Sequence, residues 1–412
     1  MRLIRVLATA LVVAATAGVV RAETAYEQPP VLKASEILTP AELKGPYHRV
    51  REQVAVRDYL AVFEIESDYG LLTAPSRRLL RTRLHEIEIL ATAGRSSQAG
   101  EVFRGLENSL RRTGTEAVSA IQHPFSTVQR LPQAAYNKTF GRLKGAFGSS
   151  EASSRYKDSW ASSALYGADK RRVAGELKLD PYSTNPAVQQ VLNQLAQARS
   201  VGSWAVDLSG QVLPDAISWS RSALDAQAEV KNIVLSNSPD DVDKVNDGKL
   251  AALGVSTYAR RKFAECPWLS PTHKTIITAA AGRLRGVDDL EALLVAAAEA
   301  TDEARAVVQT VQATMLAGFH AKQGSLQKLD AVGGVVIATT QGGHVFIVLP
   351  IDYGTFDAHT EGAVRVVFET GQLKAAPSRT LYVTGRVSPA LEAFLKERDV
   401  RLFQGVEPPA LR

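Results

Sequence analysis

The sequence predicts an α+β protein that is mostly helical, because three kinds of pattern follow one another along the chain. Apolar and polar residues alternate between positions 49 and 73, which is the period of a half-buried strand. From position 76 to position 319 apolar residues recur every three or four positions, as in amphipathic helices. Residues 331–412 return to strand, helix and strand in turn. We therefore expect a small antiparallel meander plus helix at the N-terminus, a central helical bundle, and a small α/β unit at the C-terminus.

The first 22 residues have the pattern of a secretory signal peptide. Arg2 and Arg5 precede an apolar run from Val6 to Val20, and the small residue Ala22 follows. The run is shorter than the roughly 20 apolar residues that a membrane-spanning helix needs. We expect cleavage near Ala22, which delivers the mature protein to the periplasm or to the outside of the cell.

Formal charge is unevenly distributed along the chain. The net charge is +5, and loss of Arg2, Arg5 and Arg21 with the signal peptide lowers it to +2. Residues 95–182 hold 14 basic and 8 acidic residues, a net charge of +6, so the rest of the mature chain carries −4. A basic segment of this kind is attracted to an anionic membrane surface or to an acidic protein partner. Nucleic acid is not expected as a partner, because no basic run is interleaved with aromatic residues.

The first part of the mature chain divides into a lead-in and an α+β unit. Residues 23–35 are polar and contain prolines, which predicts a flexible lead-in. Within residues 36–94, Thr39 begins a short helix with a capping box, and the period-two meander follows. Ser76 then caps a longer helix that ends at Gly94.

The middle of the chain is predicted to be helical. Residues 95–182 form a basic helical segment that contains a loop rich in Ser, Ala and Gly. Its stretch from Tyr136 to Phe147 has basic residues opposite aromatic ones, which is typical of helices on anionic lipid but also of helices packed on a core. Residues 183–330 predict a helical bundle, because their apolar stripes are joined by short connections.

Residues 331–412 predict an α/β unit. One strand is expected from Val332 to Thr340, and a glycine-rich hairpin turn joins it to a second strand from His344 to Leu349. A third strand, a helix and a last strand follow at Thr380 to Thr384, Ser388 to Glu397 and Val400 to Phe403.

Two stretches of the sequence resemble an uncharacterised family of exported proteobacterial proteins. They run from Ala34 to Ala93 and from Lys249 to Leu284, and the second contains the segment from Pro267 to His273, Pro-Trp-Leu-Ser-Pro-Thr-His. The resemblance implies export. It implies no activity, cofactor or catalytic residue.

The main candidate for chemistry is the loop of residues 352–361, which follows a predicted strand, a common position for functional groups in α/β layers. Its side chains could act as acid and base, or bind a divalent metal through Asp357 and His359. The competing interpretation is a polar connection in which Asp357 or Thr360 caps the next helix. The candidate catalytic residues are Asp352, Asp357, His359 and Glu361, together with His344 on the neighbouring strand.

A second candidate lies in the stretch that holds the only cysteine. Cys266 and His273 could form a nucleophile and its base, which requires hydrogen-bond contact and a third group to orient the base. The competing interpretation makes Cys266 a small apolar core residue and His273 a partly buried residue in a helix that Ser270 caps. We favour the structural interpretation, because two prolines restrict the approach and no orienting partner is evident.

From these patterns we expect an exported, soluble binding or scaffolding protein that uses no cofactor and has a protein or an anionic membrane surface as its partner. One alternative is a metal-dependent or acid–base hydrolase that uses residues 352–361. Another is a peripheral membrane-associated factor that acts through residues 97–148. Catalysis is less favoured, because the sequence has neither a phosphate-binding glycine loop nor a Gly-x-Ser-x-Gly nucleophile elbow.

Overall fold

The computed structural model describes residues 26–94, 160–200, 228–323, 326–332, 334–369 and 375–406. Helices make up 53% and strands 21% of these residues, so the predicted mostly helical α+β fold is confirmed. One sheet near the N-terminus is antiparallel, and one near the C-terminus is mixed. Within the described ranges, no helix is both long enough and apolar enough to cross a bilayer.

The N-terminal sheet is antiparallel throughout, as the period-two pattern predicts. Strand β4 (Leu60–Ser67) lies at its centre. Along one edge β4 pairs with β3 (Gln53–Arg57) and β2 (His48–Val50), and along the other edge it pairs with β5 (Gly70–Pro75). Strand β1 (Val31–Lys33) extends the sheet beyond β3. The sheet therefore includes one strand, β1, from the segment that was expected to be a flexible lead-in.

The predicted helix starts in this unit are confirmed. Thr39 and Glu42 form a capping box, in which each side chain accepts a hydrogen bond from the backbone N–H of the other residue. Ser76 Oγ accepts a bond from the N–H of Leu79 and so caps α3 (Arg77–Ala93), which covers the sheet. Two short helices precede the meander: α1 (Ala34–Ile37) and α2 (Pro40–Leu43).

Helices α4 (Trp160–Glu176) and α5 (Pro186–Ser200) complete the N-terminal unit. Val188 and Leu192 of α5 are buried in the same core as Leu80 of α3. This differs from the expected domain limits, which placed α5 in a bundle beginning at residue 183. The apolar stripe of α5 was recognised in the sequence, but the surface that it covers depends on packing with α3 and α4.

A second core lies between a layer of helices and one face of the C-terminal sheet. Helix α11, the longest of the described helices, also packs against α3, so it joins this core to the N-terminal unit. The helices of the layer are α6 (Ala228–Ser236), α7 (Pro239–Ala252), α8 (Thr257–Glu265), α9 (Pro271–Arg283), α10 (Glu291–Ala298) and α11 (Glu303–Gln323).

The C-terminal sheet has the strand order β12-β10-β8-β7-β6. Strands β6, β7 and β8 form antiparallel hairpins, whereas β8, β10 and β12 run parallel. A separate parallel pair, β9 and β11, lies beyond the ends of β8 and β10. The strands are β6 (Leu326–Val332), β7 (Val335–Thr340), β8 (Val345–Leu349), β9 (Tyr353–Gly354), β10 (Arg379–Val383), β11 (Arg386–Val387) and β12 (Val400–Phe403).

Both faces of this sheet are covered. Helices α12 (Ala358–Glu369) and α13 (Pro389–Lys396) pack on the face opposite the bundle and enclose a third core. The expected boundary at residue 331 therefore divides a single three-layer arrangement, since β6 begins at Leu326 and the bundle and the sheet share one core. Parallel strands covered on both faces are the usual arrangement for this topology.

Residues 26–33, expected within a flexible lead-in, make defined contacts with the C-terminal unit. The N–H of Glu27 donates to the carbonyl of Phe356 at 2.8 Å, and the carboxylate of Glu27 accepts from the N–H of Phe356 at 2.7 Å. The same carboxylate accepts a bond from Ser388 Oγ, and the ring of Tyr26 packs on Phe356. These contacts, together with the pairing of β1, account for the difference from the expectation.

We expect Trp268→Ala to lower the free energy of unfolding by about 3 kcal/mol or more. Trp268 packs against the second core in the connection between α8 and α9, so truncation leaves a cavity there. Chemical denaturation measures the loss. Tyr258→Ala is the control, since Tyr258 is 65% exposed on α8 and should change stability by less than about 0.5 kcal/mol. Equal losses in the two variants would contradict the packing role of Trp268.

Candidate functional site

The loop of residues 352–361 lies at the carboxyl ends of β8 and β10, where open α/β sheets usually bind their ligands. The backbone is closely packed there, because the N–H of Arg386 donates to the carbonyl of Asp352 at 3.0 Å. A Cβ atom on Gly385 would lie 2.0 Å from that carbonyl oxygen, so only glycine fits. The N-terminal unit of the same chain contacts this end of the sheet.

Asp352 joins the two units through its side chain. Its Oδ2 accepts a hydrogen bond from the N–H of Ala61 at 3.0 Å and from the N–H of Arg77 at 3.1 Å. Burial raises the pKa of Asp352 to about 6, although the two backbone bonds oppose the rise. Because Arg77 is the first residue of α3, the ionised carboxylate is stabilised at a helix N-terminus.

The turn between β3 and β4 makes the matching contact from the N-terminal side. The carbonyl of Tyr59 accepts hydrogen bonds from the N–H groups of Asp352 at 3.0 Å and Tyr353 at 3.1 Å. Asp58 and Tyr59 have φ values of 48° and 67°, which are unfavourable for residues other than glycine. Two-residue hairpin turns with positive φ at both positions normally contain Asn-Gly. Asp58 and Tyr59 therefore adopt a strained backbone conformation, which the contacts with the C-terminal unit stabilise.

Asp357 caps α12, as the competing interpretation of the loop predicts. Its Oδ1 accepts from the N–H groups of His359 at 2.9 Å and Thr360 at 2.8 Å. The hydroxyl of Tyr59 donates to the same carboxylate at 3.0 Å. Burial raises the pKa of Asp357, but the bonds from Thr360 and Tyr59 outweigh it and leave the pKa below its usual value.

His359 and Glu361 lie at the outer surface of the loop. The exposed ring of His359 stacks on Tyr59 with 6.2 Å between the ring centroids. Glu361 accepts a hydrogen bond from the hydroxyl of Tyr26 at 2.6 Å and pairs with Arg365. These two contacts hold the pKa of Glu361 below its usual value.

His344 does not belong to this cluster. It precedes β8, whereas Asp352 follows it, so the two are separated by a five-residue strand of about 17 Å. Nδ1 of His344 instead lies 2.8 Å from Ser378 Oγ. Throughout the described ranges, no three His, Cys, Asp or Glu residues are grouped so that they could hold a metal ion. Asp357 and His359, the suggested metal ligands, thus have no third ligand among the residues that the structure describes.

Cys266 and His273 are each engaged with other groups. Cys266 is buried, and its Sγ lies 3.8 Å from the carbonyl oxygen of Ala300. Nδ1 of His273 accepts from the N–H of Ser270, whose hydroxyl accepts from the N–H of His273. His273 is therefore part of a capping box at the start of α9, and the structural interpretation of this stretch accounts for both residues.

A buried ionic network lies between α3 and α11, and sequence reasoning did not find it. Arg83 is 5% exposed and donates to Glu86 on its own helix and to Glu303 on α11, each at 2.9 Å. Asn185 also donates to Glu86 at 2.9 Å, and Thr184 bonds to both Arg83 and Glu303. Burial lowers the pKa of Arg83, but the two carboxylates outweigh it and keep the pKa above its usual value.

Asp180 and His273 lie beside this network. Oδ1 of Asp180 accepts from Thr272 Oγ1 at 2.8 Å and from the N–H of Tyr182 at 2.9 Å. Burial raises the pKa of Asp180 to about 6, and the nearby Glu86 adds to the rise. Burial has the opposite effect on His273 and lowers its pKa to about 4. At neutral pH Asp180 is therefore ionised and the imidazole of His273 is neutral.

One signal for the network was present in the sequence. Arg83 and Glu86 are three positions apart and fall among the apolar positions Leu80, Leu84 and Ile87 of α3. Charged residues within an apolar stripe are buried only when they are paired. No local pattern identified Glu303 as the partner.

The stretch from residue 97 to residue 148, proposed for membrane contact, lies outside the described residues. No protein-family model, curated protein or solved structure matches the chain. The functional interpretation therefore depends on the geometry of the sites themselves.

We expect Cys266 to react slowly with thiol reagents in the native protein and completely after unfolding. Burial denies the reagent access to the Sγ atom. Labelling with a chromogenic disulfide, followed with and without urea, measures the two rates. Rapid stoichiometric labelling of the native protein would contradict this expectation and would restore the dyad hypothesis.

We expect the free energy of unfolding of Asp180→Asn to rise relative to that of the wild type as pH increases from about 4 to 6. The folded-state pKa of Asp180, about 6, lies above its usual 3.8, so the stability that this group contributes is complete below pH 3.8 and is lost as pH rises through 6. Asparagine keeps the acceptor oxygen and removes the titration. The stability difference should grow by up to about 3 kcal/mol in urea denaturation across this range.

His273→Gln provides the comparison of opposite sign. The folded-state pKa of His273, about 4, lies below its usual 6.5, so its contribution is complete above pH 6.5 and is lost as pH falls through 4. The variant should therefore become less stable relative to the wild type as pH rises. Parallel pH profiles for the two variants would contradict the assignment.

Proposed function

We propose that this protein is an exported binding or scaffolding protein rather than an enzyme whose catalytic residues lie in the loop 352–361. The observation that carries the proposal is the use of Asp352. Its carboxylate is committed to the N–H groups of Ala61 and Arg77, so the N-terminal unit occupies the end of the sheet where a ligand would ordinarily bind. Because the N-terminal unit takes this position, we assign the loop a structural role.

The other polar residues of the loop support the same proposal. Asp357 caps a helix and accepts a bond from Tyr59, and Glu361 is paired with Tyr26 and Arg365. A general acid or base needs a lone pair or proton directed at a substrate. The loop instead directs its carboxylates at donors of the same chain, which fixes the two units against each other. A rigid assembly of this kind presents its outer surface in a constant geometry.

Export is part of the proposal and depends on the sequence of the first 22 residues. The single cysteine agrees with it, because Cys266 is buried and thus protected in an oxidising compartment. The resemblance of two stretches to exported proteobacterial proteins points in the same direction.

Paired substitutions in the loop test the proposal. We expect Asp357→Ala to lower the free energy of unfolding by about 1–2 kcal/mol, since it removes a helix cap. His359→Ala should change it by less than about 0.5 kcal/mol, because the ring is exposed. Urea denaturation of the full chain measures both values.

The same variants test the enzyme alternative directly. Calorimetric titration with Zn²⁺, Mn²⁺ and Mg²⁺, and hydrolysis of model esters and phosphoesters, should give no signal that depends on Asp357 or His359. Saturable metal binding or turnover that is lost in both variants, with the fold intact, would overturn the proposal in favour of a hydrolase.

A further inference from the structure

Residues 26–30 contact the C-terminal unit in the way that a bound peptide contacts its receptor. The N–H of Glu27 donates to the carbonyl of Phe356 at 2.8 Å, and the N–H of Phe356 donates to the carboxylate of Glu27 at 2.7 Å. The hydroxyl of Ser388 donates to the same carboxylate. Main-chain bonds combined with contacts that read individual side chains are typical of peptide recognition.

Tyr26 adds a second side-chain contact to this arrangement. Its ring packs against Phe356 with 5.7 Å between the centroids, and its hydroxyl donates to Glu361 at 2.6 Å. Two successive residues thus present an aromatic ring, a phenolic hydroxyl and a carboxylate to matching groups. We call residues 26–30 the strap, and we call Phe356, Glu361 and Ser388, which contact it, the strap seat.

The strap seat is held in place by other contacts within the C-terminal unit. Phe356 is buried in the third core, where its ring lies 4.7 Å from that of Phe394 between centroids. Ser388 caps α13, and Glu361 pairs with Arg365. None of these contacts involves the strap. The seat therefore keeps its geometry without the strap, and a new ligand does not have to order it.

The strap itself is only lightly covered. No residue from 26 to 30 is buried, and the side chain of Tyr26 is 49% exposed. Displacing the strap therefore uncovers little apolar surface, so the hydrophobic contribution that holds it is small. Residues 31–33 remain paired with β3 through β1, so the strap can leave while the first sheet stays intact. A segment of another protein with the same groups can take its place.

We propose that the strap seat binds an extended segment of a partner protein in which a tyrosine is followed directly by an acidic residue. The strap is an internal competitor for this segment, because it presents the same pair, Tyr26 and Glu27. A tethered competitor acts at an effective concentration of about millimolar, so the partner segment must bind more tightly than the strap does. This inference rests on the proposed binding function and names the class of its partner.

The test opens the strap seat in the full chain. Tyr26→Ala with Glu27→Ala, the opened variant, removes both side-chain contacts, and the milder pair Tyr26→Phe with Glu27→Gln retains the side-chain volume. Tyr258→Ala with Glu265→Ala is the matched control, since it removes the same residue types from the exposed face of α8. Far-UV circular dichroism and urea denaturation establish that each variant is folded.

The probe is the peptide Tyr-Glu-Gln-Pro-Pro with blocked ends, measured by calorimetric titration. We expect saturable binding to the opened variant that is about tenfold or more tighter than binding to the wild type or the control, because the competing strap is gone. The milder pair should give the same ranking with a smaller difference. The peptide Tyr-Gln-Gln-Pro-Pro should bind the opened variant about tenfold more weakly, because its bonds to Phe356 and Ser388 lose the negative charge.

A double-mutant cycle locates the bound peptide. Adding Glu361→Ala to the opened variant should weaken binding of Tyr-Glu-Gln-Pro-Pro and leave that of Phe-Glu-Gln-Pro-Pro unchanged, since the tyrosine hydroxyl is the group that bonds to Glu361. Equal weakening of the two peptides would place them outside the seat and contradict the proposal.

Two further results would overturn the proposal. One is the absence of saturable binding to the opened variant, or binding equal to that of the control. The other is a wild-type dimer in sedimentation velocity that the opened variant loses, because the seat would then take the strap of a second copy. The binding function itself is judged separately by the variants of Asp357 and His359.

Discussion

The contact between Asp352 and the N-terminal unit determines how the rest of the structure is arranged. One carboxylate accepts two backbone N–H groups, one from the central strand of the first sheet and one from the start of α3. In the opposite direction, the carbonyl of Tyr59 accepts hydrogen bonds from the backbone N–H groups of Asp352 and Tyr353. Since buried polar groups are costly without partners, the two surfaces are complementary only in this relative position. The loop therefore serves as a joint, and its acidic residues are explained by that role.

The ionic network around Arg83 adds a second connection, between α3 and α11. A buried ion pair is not in itself a strong source of stability, because desolvation offsets much of the attraction between the charges. Its hydrogen bonds are nevertheless directional, so the network specifies where α11 lies against the N-terminal unit. We regard specificity as its contribution, with Asp180 and His273 as titratable neighbours whose pKa values move in opposite directions.

Local features of the fold could be predicted from the sequence, because they depend on neighbouring residues. The caps at Thr39, Ser76 and Ser270 follow from side chains within three positions of the helix start, and the strand at Val400–Phe403 was predicted with its observed limits. The joint could not be predicted, since nothing near Asp352 indicates that Ala61 and Arg77 are its partners. For the same reason, the sequence near Arg83 did not indicate that Glu303 is its partner. Acidic residues after a strand indicate chemistry or capping equally well, and only their partners decide between the two.

The joint also determines the order in which the molecule can be completed. The hydroxyl of Tyr59 and the carboxylate of Asp357 are 298 positions apart in the chain, so their contact closes a loop that contains nine of the thirteen described helices. Contacts between residues so distant in sequence form slowly, and a chain is synthesised from its N-terminus. The residues of the first sheet are thus synthesised before those of its partner surface, and the turn at Tyr59 lacks these contacts until the C-terminal unit has folded. Loss of the last strands by premature termination would leave that early unit without the surface that completes it.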